Sequence, residues 1–318
     1  MLEQQARQTT TQPHTTSLAR WWVYQRERFP LFSHGLLIAV FTFSTVSFSL
    51  LARGVIRVPS AQALLVAGVS AVCFFLQLRI ADEFKDAEED ARYRPYRPVP
   101  RGLVTLRELG HVALCGALAQ AALALWLSPA LLPLLFLVWG YLALMSKEFF
   151  ARRWLKAHPI TYMWTHMLIL PLIDLYATAC DWRVARVAAP VGLVWLLAVS
   201  FCNGFVLEIG RKIRAPGDEE LGVETYSYLW GRRRAVAAWC AVLLVTAATA
   251  LIAASQIHFA LLAAALLMVL LLAAGIVAWR FLRAPVTGHA KAIELASGIW
   301  TLLLYLSLGA VPLLIKLW

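Results

Sequence analysis

Residues 235–254, AVAAWCAVLLVTAATALIAA, and residues 259–279, FALLAAALLMVLLLAAGIVAW, carry no charged side chain and are parted only by the polar turn Ser255-Gln256-Ile257-His258. A run of about 20 apolar residues can cross hydrocarbon as a helix, which pairs every backbone N–H and C=O internally where no water is available to do so. Two such runs joined by four residues read as a transmembrane hairpin. Seven further stretches approach the same length, at 31–51, 63–78, 110–127, 131–145, 160–177, 187–207 and 293–314 on either side of the hairpin. The stretches at 110–127 and 131–145 are split only by Ser128-Pro129-Ala130 and predict a second hairpin. Of the 318 residues, 61% are hydrophobic and only 15% charged, and the mean hydropathy is +0.69, values that exclude an ordinary soluble domain. The expectation is an all-α membrane protein with nine transmembrane helices, in which residues 1–30 form an N-terminal segment and residues 31–318 the membrane domain. The first apolar stretch follows a polar head and lacks a small-residue cleavage site, so no cleavable signal is expected.

Lys and Arg set the orientation. The N-terminal head and alternate loops hold 24 of the 29 basic residues. By the positive-inside rule that end is cytoplasmic, with the bacterial inner membrane the expected location. The net charge of +11, and clusters such as Arg232-Arg233-Arg234, then follow from topology and anionic lipid and call for no nucleic acid. Cys73, Cys115, Cys180, Cys202 and Cys240 lie in or at the ends of apolar stretches without close spacing, and read as small packing residues.

Polar residues are costly in such a chain, and two segments concentrate them. The first runs from Arg79 to Gly102, and six of the chain's 18 acidic residues fall between Asp82 and Asp90. Asp82, Asp86 and Asp90 are four apart, so a helix continuing out of the membrane aligns them in one stripe and makes them repel. A shared divalent cation relieves that repulsion. Mg²⁺ suits the pattern, since it takes one or two protein carboxylates and completes its shell with water and phosphate oxygens. Asp82, Glu83, Asp86 and Asp90 are the candidate metal-binding and catalytic carboxylates. Arg94, Arg97 and Arg101 follow among prolines, and guanidinium forks match phosphate oxygens. A solvated helix extension, partly neutralised by Lys85 and Arg92, is the simpler reading of the same residues.

The second segment runs from Asn203 to Ser227. Asn203 and Glu208 precede the end of the membrane helix, where an unpaired charge is expensive, which makes Glu208 a candidate catalytic residue and Asn203 a candidate for substrate binding. Arg211 and Lys212, three and four residues beyond Glu208, offer it a structural ion pair or offer a substrate anion two cations. Asp218 is a further candidate. The stretch at 160–177 adds Tyr162 and His166, one turn apart, and Asp174, as sources of a base or an acceptor-binding group or as interhelical hydrogen-bond partners.

Nine helices with polar motifs after the second and sixth resemble the UbiA superfamily of intramembrane prenyltransferases. The family's first motif, Asn-Asp-x-x-Asp-x-x-x-Asp, is similar to Asp82-Glu83-x-x-Asp86-x-x-x-Asp90, with Asp for Asn and Glu for the first Asp, followed by the Arg-Pro run at Arg94 to Pro98. The second motif departs from the pattern. Gly222-Val223 is present, but the family's aspartates spaced by four are replaced by Glu208 and Asp218 with Arg211, Lys212 and Arg214 between them. The resemblance implies a bundle around a central cavity, with both motifs at its cytoplasmic mouth. It implies Mg²⁺-assisted ionisation of an isoprenyl diphosphate and transfer of the prenyl group to a lipophilic, aromatic acceptor within the membrane. Phe74, Phe75, Trp139, Tyr141, Tyr162, Trp164 and Trp300 are candidates for a cation-stabilising lining, and ordinary packing is the alternative for each.

A terpene cyclase on the same scaffold would share the ionisation machinery, and acceptor dependence separates the two. A divalent-cation transporter is the contrasting class. Transporters place their ions near the midplane on broken helices, whereas here the acids lie at the membrane edge beside arginines.

Overall fold

The computed structural model describes residues 17–318, so the first 16 residues of the proposed N-terminal segment lie outside the described residues. Fifteen α-helices follow in order among the described residues: α1 (Ser17–Arg28), α2 (Leu31–Ala52), α3 (Ala61–Lys85), α4 (Ala87–Tyr93), α5 (Leu106–Leu127), α6 (Leu132–Ser146), α7 (Arg152–Ala157), α8 (Pro159–Met167), α9 (Ile169–Trp182), α10 (Leu193–Arg211), α11 (Tyr226–Trp230), α12 (Arg232–Gln256), α13 (Ala260–Arg283), α14 (Thr287–Leu308) and α15 (Ala310–Leu317). Nine spans among them are long and apolar enough to cross a bilayer, two of these being the composites α8–α9 and α14–α15. The all-helical, nine-span expectation stands.

The ends differ from the sequence reading for local reasons. α10 starts at Leu193 rather than 187 because Pro190 sits in the preceding non-helical segment. α3 runs on to Lys85, seven residues past the expected apolar limit, carrying the first acids out on a helix. The fifth span breaks at Leu168, between α8 and α9. The last breaks at Gly309, where a Cβ would stand 2.0 Å from the backbone oxygen of Ser44 on α2. Only glycine permits this approach of backbones, the small-residue packing that substitutes for hydrophobic driving force in lipid. Gly309→Ala is expected to cost about 3 kcal/mol or more through overpacking against a backbone that cannot move aside, read as thermal unfolding in detergent.

α2 packs on α3, α9, α14 and α15, and α10 on α9, α12 and α14, so these helices form the inner wall. α5 and α13 turn most of their surface outward, with large apolar residues such as Leu118 and Leu272 exposed as lipid-facing positions should be. Two large apolar cores result, one centred on Trp239, Phe281 and Trp300, the other on Phe74, Leu131, Leu135 and Tyr176, and a smaller third gathers Tyr24, Ile80, Val104 and Leu109. Some polar groups inside the wall are paired across helices: Asp174, fully buried, accepts from Thr45 (2.8 Å) and Tyr305 (3.0 Å), and Trp239 donates to Ser297 (2.9 Å). Asp174 is thereby an interhelical tie between α9, α2 and α14. At the end of the bundle away from the acidic run, Asp181 accepts from Ser49 and takes both arms of Arg53 at 3.1 and 2.6 Å.

Candidate active site

The acidic run begins on the last turn of α3 and continues onto α4. Although the helix bends at Asp86, the backbone bonds Asp86 N–H to Asp82 C=O (2.9 Å), Asp90 to Asp86 (2.8 Å) and Arg94 to Asp90 (2.9 Å) preserve the four-residue register. The side chains nevertheless go to three different places. Glu83 points away from the stripe, is 2% exposed and forms a buried ion pair with Arg28 of α1. Asp90 is equally buried and lies between Arg94 (3.1 Å) and Arg97 (2.6 Å), so both arginines hold the loop after α4. Asp82 and Asp86 are left on the open side. Asp82 lies 3.3 Å from Lys85 and 3.7 Å from Arg79. Asp86 is half-buried, and burial, with the charges of Asp82, Asp90 and Glu89, raises its carboxyl above the ordinary carboxylate range against the pull of Lys85. Arg101 pairs with Glu27 (2.9 Å), which fastens the loop to α1 and keeps its guanidinium away from the two open acids.

The second segment stands opposite. Glu208, 8% exposed near the end of α10, pairs with Arg211 and with Lys212 (2.9 Å), and Lys212 also lies 5.5 Å over the ring of Tyr226. Asn203 lies deeper, accepting from Thr301 of α14 at 3.2 Å. Asp218 is placed elsewhere: it accepts from Thr287 (2.8 Å) and lines a separate cleft of about 410 Å³ with Arg214, Glu220, Lys291 and Glu294. The segments are locked face to face by Gly222, whose φ of +76° only glycine adopts readily, and whose Cβ would meet the Tyr93 ring at 2.7 Å. Tyr96 adds a hydrogen bond to Glu220 at 3.1 Å.

Arg79 and Lys85, absent from the sequence-derived set, belong to this mouth. Arg79 is largely buried, its Nε has no hydrogen-bond partner among the described residues, and it lies within electrostatic reach of Asp82 and Arg211. Its spacing from Asp82, i−3 on the same helix, was the available signal. Lys85 donates to the Tyr162 hydroxyl at 2.8 Å, and the Tyr162 ring stacks on His166 at 3.9 Å. Of the aromatic lining candidates, Phe74 and Trp300 are fully buried packing residues, Trp139 donates to Gln120 (3.0 Å), and Trp164 is 53% exposed.

The donors suit a hard cation. They are oxygens only, and the raised Asp86 is an acid in want of positive charge. Among the described residues no three acidic, histidine or cysteine side chains gather into a cage. The chain would therefore offer such an ion Asp82 and Asp86, with phosphate and water completing the shell.

The profile of the UbiA prenyltransferase family matches residues 39–298. Among solved structures, the apo structure of a UbiA homologue from Aeropyrum pernix K1 superposes with a TM-score of 0.67 at 16% identity, covering 90% of this chain and 98% of that one. A structure of digeranylgeranylglyceryl phosphate synthase superposes with a TM-score of 0.58 at 15% identity, covering 92% and 99%. At these identities the likeness is one of fold. Among curated proteins no sequence matches.

Proposed function

Because this chain belongs to the UbiA prenyltransferase family, we propose that it ionises an isoprenyl diphosphate at the mouth between α3 and α10 and transfers the prenyl group to a lipophilic, aromatic acceptor in the membrane. One observation carries the reading: Asp82, one helical turn from Asp86, lies beside Arg79 and within electrostatic reach of Arg211, which Glu208 pairs together with Lys212, and the two loops are locked together by Gly222 on Tyr93. That combination is what a diphosphate leaving group requires. Asp82 and Asp86 would hold Mg²⁺, which supplies Lewis-acid neutralisation of the departing charge.

The protein's own cations do the rest. Arg79, whose side chain stays 30% exposed beside Asp82, would donate to a phosphate oxygen, and a guanidinium does so without ever losing its charge. Arg211 and Lys212 are oriented by Glu208 before substrate arrives, so little reorganisation accompanies the developing charge. The family's second motif carries aspartates spaced by four, and this chain has there Glu208 and Asp218 with Arg211, Lys212 and Arg214 between them. Fixed cations in that half of the mouth take over neutralisation that aspartates would reach through metal. Arg94 and Arg97 act one step away, by holding Asp90 and the loop on which the mouth closes. The apolar bundle below shields the allylic cation from water. The mouth lies at the end rich in Lys and Arg, which makes it cytoplasmic under the positive-inside rule.

Purified protein with Mg²⁺ and geranyl, farnesyl or geranylgeranyl diphosphate should release diphosphate, and chelation of the metal should stop it. Lys212→Ala is expected to slow release by about 10²-fold, the scale of one preorganised donor to a developing anion. Release that ignored both chelation and Lys212→Ala would refute the site. Product formation only with an added acceptor supports transfer over cyclisation.

A further inference from the structure

The imidazole of His166 has one nitrogen committed and the other bare. Nδ1 lies 2.8 Å from the backbone oxygen of Tyr162, and a carbonyl can only accept, so Nδ1 bears the proton. In the neutral ring Nε2 is then a lone pair. It is buried, on a side chain only 8% exposed, and has no partner among the described residues. A buried acceptor left empty costs free energy unless something fills it in use.

The surroundings say what that something is. The Tyr162 ring lies parallel to the imidazole at 3.9 Å, and Phe149 meets it edge-on at 6.2 Å. Phe149 is held there, and against Tyr141 (5.5 Å), by a turn in which Glu148, Phe149 and Phe150 have φ of 47°, 53° and 58°. Non-glycine residues in the left-handed region are strained, and strain of this kind collects at working sites. The position is next to the chemistry: Asp82 pairs with Lys85, Lys85 donates to Tyr162, and Tyr162 stacks on His166.

We propose that His166 Nε2 is the proton acceptor for a phenolic acceptor seated at the imidazole edge beside Phe149. A flat aromatic wall suits a planar ring, and a lone pair suits a hydroxyl donor. This rests on the prenyl-transfer reading above. In the step, the C1–O bond of the prenyl diphosphate breaks with its electron pair leaving on diphosphate, and the acceptor supplies a pair to form the new bond to C1. The acceptor's O–H bond breaks with its pair staying on the acceptor, and the proton goes to Nε2. Net, one proton and one diphosphate leave, and neither oxidant nor reductant is needed. The fixed Nδ1 bond makes Tyr162 the positioning residue, setting both tautomer and ring orientation.

The test separates ionisation from proton loss. Geranylgeranyl diphosphate carrying ¹⁸O in the bridging position is incubated with full-length protein, Mg²⁺ and hydroquinone. Isotope scrambling reports reversible ionisation, and prenylated hydroquinone reports coupling. In His166→Ala the ratio of coupling to scrambling should fall by about 10²-fold or more, the usual scale of a general base, and added imidazole should restore it. His166→Gln, with a polar side chain of similar reach, guards against a folding defect and should show the same fall. A wild-type ratio in His166→Gln, a fall that imidazole does not rescue in His166→Ala, or scrambling without any coupling to hydroquinone by the wild type would each overturn the proposal. Absence of scrambling in the wild type would instead strike the ionising site itself.

Discussion

Asp86→Asn is expected to reduce diphosphate release by at least about 10³-fold while leaving thermal unfolding in detergent within about 0.5 kcal/mol of the parent, a split expected of a side chain used for function rather than folding. The physical reason is local. The other open acid of the mouth, Asp82, is flanked by Lys85 and Arg79 at 3.3 and 3.7 Å, so its charge is already partly met. Asp86 has its carboxyl raised by burial and by three neighbouring carboxylates, with Lys85 alone pulling down, so it gains most from an added cation. An amide keeps the size and loses the charge. The measurement is initial-rate diphosphate release at saturating Mg²⁺, paired with a melting curve. A rate within tenfold of the parent would show that the leaving group is neutralised without Asp86.

Arg28→Ala is expected to act in the opposite sense, costing about 3–5 kcal/mol of stability because it strands a carboxylate in the protein interior. Glu83 has a side chain 1% exposed, and Arg28 is its ion-pair partner. Removing both charges together, as Arg28→Met with Glu83→Leu, should return most of the loss, since well-packed apolar residues replace buried pairs at little net cost. Thermal unfolding of the single and double variants decides it. A single variant as stable as the parent would mean that Glu83 is hydrated or protonated instead.

Much of this architecture could be read from the chain. Uncharged runs near 20 residues gave the spans, and the register Asp82, Asp86, Asp90 carried the first motif, because both depend on local spacing that the helix preserves. The division of labour within that motif was not legible. Glu83 and Asp90 are buried against Arg28 and against Arg94 and Arg97, unlike Asp82 and Asp86, and Arg28 lies 55 residues from Glu83 on a helix within the segment expected to be a polar head. Asp218 looked like part of the second motif, yet Thr287 of α14, 69 residues away, draws it to another cleft. The breaks at Leu168 and Gly309 lie inside continuous apolar runs and do not show in hydropathy; their signal was Pro171 and Pro312, each three residues beyond the break and unable to donate to the carbonyl four residues back. Phe149 gave no signal at all, for nothing in Glu148-Phe149-Phe150 announces a left-handed turn without glycine.

That turn has a bearing on how the protein could be improved. Each of its three residues holds a backbone conformation worth on the order of 1–3 kcal/mol above a relaxed one, and the rest of the bundle has to offset it. Laboratory evolution for heat tolerance alone would find glycine there early, and with it a floppier wall beside the histidine. Under the role proposed for His166, robustness and turnover are set against each other in a segment three residues long, and a selection scheme that scores only survival would steadily discard that role.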